Sequence, residues 1–102
     1  MGQGGEFPYM FRLFNVMEYT VSETLDEVLR SREDVCKCPR CRLDIMAIAL
    51  NRLPPSYVVT SKGEVIARTN ALRQQFKVDV IRAIAEAIEI VSKTPHHSRK
   101  DS

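Results

Sequence analysis

Proline divides this chain more firmly than any other residue type. Pro39, Pro54, Pro55 and Pro95 mark places where a helix can begin or end but not run through, because the ring fixes φ and removes a backbone N–H. Pro39 suits the first turn of a helix, where that N–H has no helical partner anyway. Pro54 drives Leu53 out of helical geometry and, with Pro55, makes a stiff corner into Ser56 and Tyr57. Pro95 stops the last helical stretch. Three main helical segments separated by short connections are what these breaks allow.

The apolar spacing agrees. Phe14, Met17, Val21, Leu25 and Val28, with Leu29 beside the last, recur at intervals of three and four, the stripe of an amphipathic helix. Leu43 to Leu50 is apolar on nearly every side, as expected of a helix central to a core or an oligomer interface. Leu72, Phe76, Val80, Ile84, Ala87, Ile88 and Val91 trace one continuous face, with Thr69 or Asn70 as its N-cap. Ile81 and Ile90 make that face wider than one small domain needs. Between the second and third segments, Tyr57–Thr60 and Val65–Ala67 read as a short hairpin around Ser61-Lys62-Gly63-Glu64. The fold class expected is mainly α: a small helical domain of three main helices with a short extended hairpin.

With 102 residues, the chain has room for one core. The expected organisation is a domain over 14–97, a flexible glycine-rich N-terminal segment over 1–13 and a polar tail over 98–102. A net charge of +2 is too small to argue for nucleic acid or membrane. No apolar run approaches the roughly 18 residues of a membrane span. A secretory signal pattern is missing, and three clustered cysteines make no disulfide framework. The expectation is a cytoplasmic protein with reduced thiols.

Cys36-Lys37-Cys38-Pro39-Arg40-Cys41 is the most specific local signal. A Cys-Pro-x-Cys turn presents two thiolates on one side of a tight bend, and Cys36 can join them on a tetrahedral zinc. His97, or His96 beside it, is the candidate fourth ligand from the C-terminal tail. A closed site of that kind is structural and staples a small domain. The plain alternative is three reduced thiols without metal.

Asp44 and Asn51 lie seven residues apart and share a helix face, with Arg40 before it and Arg52 after it. One reading gives Asn51 a helix-end cap and Asp44 an interhelical hydrogen bond. The other adds Leu53, Pro54, Pro55 and Tyr57 to form a ligand cleft. There a carboxylate can read a guanine edge, an arginine can clamp phosphate, and a tyrosine can stack on a base. Arg68, Arg73, Lys77 and Arg82 are either solvated surface or a phosphate-binding patch. Glycine-rich phosphate loops, nucleophile elbows and His-nucleophile pairings are missing, so no catalysis is expected.

The ordered string from Cys36 through Asp44-Ile45 to Ala49-Leu50-Asn51-Arg52-Leu53-Pro54-Pro55-Ser56-Tyr57-Val58-Val59 resembles the ComFB family, named from late competence development. Asn15-Val16-Met17-Glu18 with Val21 looks like that family's opening helix, and Ala87 to Val91 with Pro95-His96-His97 looks like its closing helix and tail. The resemblance implies a small, dimeric, non-enzymatic helical protein. It implies zinc on Cys36, Cys38 and Cys41, with a histidine standing where some members have a later cysteine. It also implies a receptor for a cyclic dinucleotide, chiefly cyclic di-GMP, with cyclic di-AMP as the alternative messenger. The candidate binding residues are then Arg40, Asp44, Asn51, Arg52, Leu53, Pro54, Pro55, Tyr57, Arg68 and Arg73. A two-fold dianion suits a two-fold dimer, and an unidentified downstream protein would read its state. The competing expectation is a zinc-stabilised interaction module without a small ligand. Nucleic-acid binding through the surface from Arg68 to Arg82 is a weaker third.

Overall fold

A computed structural model describes residues 11–94 of the protein. The chain runs through strand β1 (Phe11–Asn15), helix α1 (Val16–Arg30), helix α2 (Pro39–Asn51) and strand β2 (Tyr57–Ser61). A single 3-10 turn at Lys62–Glu64 then leads into helices α3 (Val65–Gln75) and α4 (Lys77–Lys93).

Helix α1 begins where Asn15 caps it, its Oδ1 accepting from the Met17 N–H at 3.2 Å, and so satisfies one of the orphan donors of the first turn. It ends at Ser31, whose hydroxyl donates to Val28 O. Met17, Val21, Leu25 and Leu29 all turn into the core. Helix α2 opens with Pro39 at its first position, as expected, and contributes Cys41, Ile45 and Ala49. Helix α4 supplies Val80, Ala83, Ile84, Ala87, Ile88 and Val91 and lies along α2, its most extensive helix contact. These stripes form one core closed by Val35 and Leu53. Each large aliphatic side chain fully buried there stabilises by about 1.5–3 kcal/mol.

Three expectations need correction. The strand partner of Tyr57–Ser61 is β1, antiparallel, with Leu13 opposite Val59 and Phe14 opposite Val58. Val65–Ala67 is instead the first turn of α3. The reason lies in spacing: Val65 and Thr69 are buried, and Leu72 and Phe76 pack against the core. That makes intervals of four, three and four, a helical period rather than an alternating one.

The second correction is that the expected single last helix is two, so the described residues hold four helices. Phe76 leaves helical geometry (φ −114°, ψ 27°). Its N–H still donates to Leu72 O at 2.9 Å, and its carbonyl accepts from Val80 N at 2.9 Å. Leu72, Phe76, Val80 and Ile84 are spaced by fours, and each such step drifts about 40° around a straight helix. The break resets the phase, so that α3 lies against α1 while α4 lies against α2.

Third, Phe14 is buried as expected but from β1, not from α1. Phe11 to Leu13, read as part of the flexible N-terminal segment, are strand.

Candidate functional site

Two places gather the chemistry-bearing side chains: the entry to α2 and the corner after it.

At the entry, Cys38 is the N-cap of α2, and its Sγ accepts from the Cys41 N–H at 3.4 Å. Pro39 follows without an N–H to compete, and Arg42 N closes the first full turn on Cys38 O at 2.9 Å. The cap therefore folds Cys38 back over Cys41, and Cys36 joins from the preceding loop. All three Sγ atoms lie within 4.8 Å of one another. Cys36 is exposed, Cys38 half-buried and Cys41 only 1% exposed. The backbone N–H of Cys41 lowers the Cys38 thiol below its ordinary pKa. Burial, followed by the neighbouring thiols, pushes Cys41 up to about 12.

This donor set fits a zinc ion. Three soft sulfurs on a helix N-terminus are a zinc-type constellation, and about 2.3 Å to each would set them about 3.8 Å apart. At most about an ångström of closure is needed, since the present separations are all within 4.8 Å. His96 and His97, expected to supply the fourth ligand, lie outside the described residues.

At the corner, Leu53 is buried while Pro54 and Pro55 face out. Ser56 is clamped from both sides: its N–H donates to Asn15 Oδ1 at 2.9 Å, and its carbonyl accepts from Val16 N at 2.8 Å. The clamp shapes a groove of about 360 Å³ lined by Asn15, Met17, Glu18, Leu50, Asn51, Leu53, Pro55 and Tyr57. Apolar side chains from α1, α2 and the corner make the floor, and Asn15, Glu18, Asn51 and the Tyr57 ring make the rim.

The ten candidate ligand residues do not all meet in this groove. Asn51, Leu53, Pro55 and Tyr57 line it. Arg40 pairs with Asp44 one turn along α2 at 3.3 Å, on the cysteine end of the helix; by helical rise Asp44 is about 10 Å and Arg40 about 16 Å from Asn51. Arg52 reaches Glu86 of α4 at 2.8 Å and shares a separate hollow with Leu53 and Pro54. Arg68 borders a third hollow beside Ser56 and Val58. Arg73 pairs with Glu23 and Glu27 of α1 over a cleft of about 450 Å³ between α1, α3 and α4.

Sequence reasoning missed Asn15 and Glu18 as site residues. Their signal was present: Asn-x-x-Glu directly before an apolar stripe is the pattern of a capping box. It also missed Arg42, which ties α2 to α1 through Ser22 Oγ at 2.9 Å and Asp26 at 2.6 Å. No helix among the described residues is long and apolar enough to cross a membrane.

Comparison with known proteins takes in the stretch that holds both places. The model of the family described as late competence development protein ComFB matches residues 14–95. The competence protein ComFB of Bacillus subtilis (strain 168) is 29% identical over 83 residues, covering 81% of this chain and 85% of that protein. A solved structure of the late competence protein ComFB from Bacillus subtilis superposes with a TM-score of 0.72 at 30% identity, covering 89% of this chain and all of that one.

Proposed function

The chain belongs to the ComFB family of competence proteins, and on that footing we propose that it is a non-enzymatic homodimeric receptor for a cyclic dinucleotide, cyclic di-GMP first. The observation that carries this reading is the groove at the Leu53-Pro54-Pro55 corner. It combines an apolar floor with convergent amide, carboxylate and phenol groups, the make-up of small-molecule sites. Its 360 Å³ suits one base and its sugar rather than the whole ligand, so a two-fold ligand needs two grooves.

The sheet offers a way to bring two grooves together. One face of the ribbon carries Phe11, Leu13, Tyr57 and Val59, with Leu13 66% and Val59 68% exposed. Tyr57 and its partner Asn15 belong to both this face and the groove. A second copy stacked on the face buries its apolar side chains and sets the two Tyr57 rings on either side of one axis. For Asp44, Arg40 and Arg68, which lie outside the groove, to read guanine and neutralise phosphate, the second copy must carry them to it and Arg40 must release Asp44. Signalling follows if ligand favours one dimer arrangement over another.

One set of observations favours the second reading, a zinc-stabilised interaction module. Arg40, Arg52 and Arg73 are each held by carboxylates of their own protomer, and the ribbon face is apolar and bare. In this reading the cysteines pin the loop between α1 and α2, and the ribbon docks a downstream protein.

Calorimetric titration of the full chain with cyclic di-GMP, cyclic di-AMP and GTP separates the two. Micromolar or tighter binding with one cyclic dinucleotide preferred supports the receptor. Folded protein that gives no heat at high ligand concentration favours the module.

A further inference from the structure

The cluster at the start of α2 has a property that neither a nucleotide groove nor a structural metal requires. Its three thiols are graded in access, from exposed Cys36 through half-buried Cys38 to buried Cys41. Two of them are also held in a fixed relation by the helix cap. Cys38 Sγ lies 3.4 Å from Cys41 N, and a residue pair spanning Cys-x-x-Cys at a helix start falls within the Cα separation of about 4.4–6.8 Å that a disulfide needs. Cys36 stands before the helix, outside that cap.

We propose that Cys38 and Cys41 form a reversible disulfide, and that this bond and a metal ion compete for the same sulfurs. The inference is independent of any cyclic-dinucleotide binding. The oxidant is a small-molecule disulfide, RSSR. The half-exposed Cys38 thiolate attacks one sulfur of RSSR, the S–S bond breaks, and RS⁻ leaves and takes up a proton. Cys38 then carries a mixed disulfide. The Cys41 sulfur, giving its proton to solvent, attacks Cys38 Sγ and expels the second RS⁻. Two protein thiols are oxidised and one RSSR is reduced to two RSH. Access dictates the order, because the outer thiol of the pair meets the oxidant and the buried thiol resolves it.

Oxidation removes two of the three sulfurs a metal would use, so the ion leaves. The new bond joins the N-cap of α2 to its own first turn and leaves that turn intact. What changes is the loop from Arg32 to Lys37, which loses the tie to α2 that a metal ion on Cys36 would add. Arg32 and Asp34 hold each other within that loop at 2.9 Å, and only Val35 reaches the core. The redox state of the pair therefore sets how firmly α1 is tied to α2 through the loop.

The test uses the full chain, stripped of metal with a chelator or loaded with zinc, in glutathione disulfide/glutathione buffers. Free thiols are alkylated and the protein is digested with trypsin. Cleavage after Lys37, Arg40 and Arg42 makes the proposed product distinctive: Cys38-Pro39-Arg40 joined to Cys41-Arg42. A bridge to Cys36 would instead carry the Glu33–Lys37 peptide. The expected result is the Cys38–Cys41 product in metal-free protein, forming roughly tenfold or more slowly with zinc bound. In Cys36→Ser the same bridge forms. In the double variant Cys36→Ser/Cys41→Ser the reaction halts at one glutathione on Cys38. A product through Cys36, no bridge even in fully oxidised buffer, or equal rates with zinc demonstrably bound would overturn the proposal. Failure of zinc to bind, with the bridge still forming, overturns both the zinc reading and the proposed competition and leaves only the disulfide.

Discussion

Asn15 Oδ1 accepts hydrogen bonds from both Ser56 N and Met17 N, at 2.9 and 3.2 Å, so one side chain caps α1 and fixes the Leu53-Pro54-Pro55-Ser56 corner. Removing it leaves two donors short of a partner. Asn15→Ala is expected to cost about 1–3 kcal/mol in denaturant unfolding and to weaken ligand binding at the groove. Asn15→Asp, which keeps the acceptor, should retain most of the stability. An Ala variant as stable as the parent would show that the clamp contributes nothing.

The phase of α4 after the break at Phe76 is tested by two neighbouring isoleucines. Ile84 is 0% exposed and Ile81 is 40% exposed. Ile84→Ala should cost about 2–5 kcal/mol. Ile81→Ala should stay within about 0.5 kcal/mol. Equal losses in thermal unfolding would mean that a second copy or a partner covers Ile81.

Zinc should stabilise the protein through the three cysteines. At about 100 times its Kd, bound zinc adds about 2.7 kcal/mol, visible as a higher Tm that a chelator reverses. Cys38→Ser should lose that response while keeping the N-cap, because a serine hydroxyl accepts from the Cys41 N–H in the same way. A melting curve indifferent to zinc and chelator would remove the metal from the picture.

Asp44 pairs with Arg40 on α2, its own side chain half-buried beside the exposed guanidinium. If it reads a guanine edge, Asp44→Ala should erase the preference between cyclic di-GMP and cyclic di-AMP while the oligomeric state holds. An unchanged preference in calorimetry would assign discrimination to other groups, such as Asn51 and Glu18.

Placing a charge on the ribbon face tests the assembly. Leu13→Glu and Val59→Glu lie opposite each other on exposed positions, so each should leave the monomer fold intact and, if this face joins two copies, halve the sedimenting mass. An unchanged mass would show that no second copy sits on this face.

Much of this was legible in the sequence because it depends on local rules. Pro39 at the first turn of α2, the stripe of Met17, Val21 and Leu25, and the proline stop after Leu53 follow from ring geometry and helical period. The cysteine cluster was equally plain, since its spacing is short and the helix start brings it together. What escaped was non-local. Nothing near Tyr57 says that its strand partner is Asn15, because that pairing depends on how α1 and α2 pack between the two strands. The break at Phe76 escaped for a related reason: the apolar spacing passes smoothly through it, and only the competing demands of α1 and α2 turn the chain there. From sequence the candidate arginines are either solvated or turned towards a ligand. Arg52 and Arg73 instead find carboxylates on elements distant in sequence.

The ribbon joins the first described strand to one that the ribosome delivers only after α1, the cysteine loop and α2 have all emerged. During synthesis β1 must therefore wait, with Leu13 and Phe14 bare, until its partner arrives. The corner can lock onto Asn15 only at that moment. Closure of the ribbon is thus a long-range event that spans both helices in sequence. Pulse-labelled hydrogen exchange would reveal it as protection of the Ser56 amide that lags behind the middle of α1.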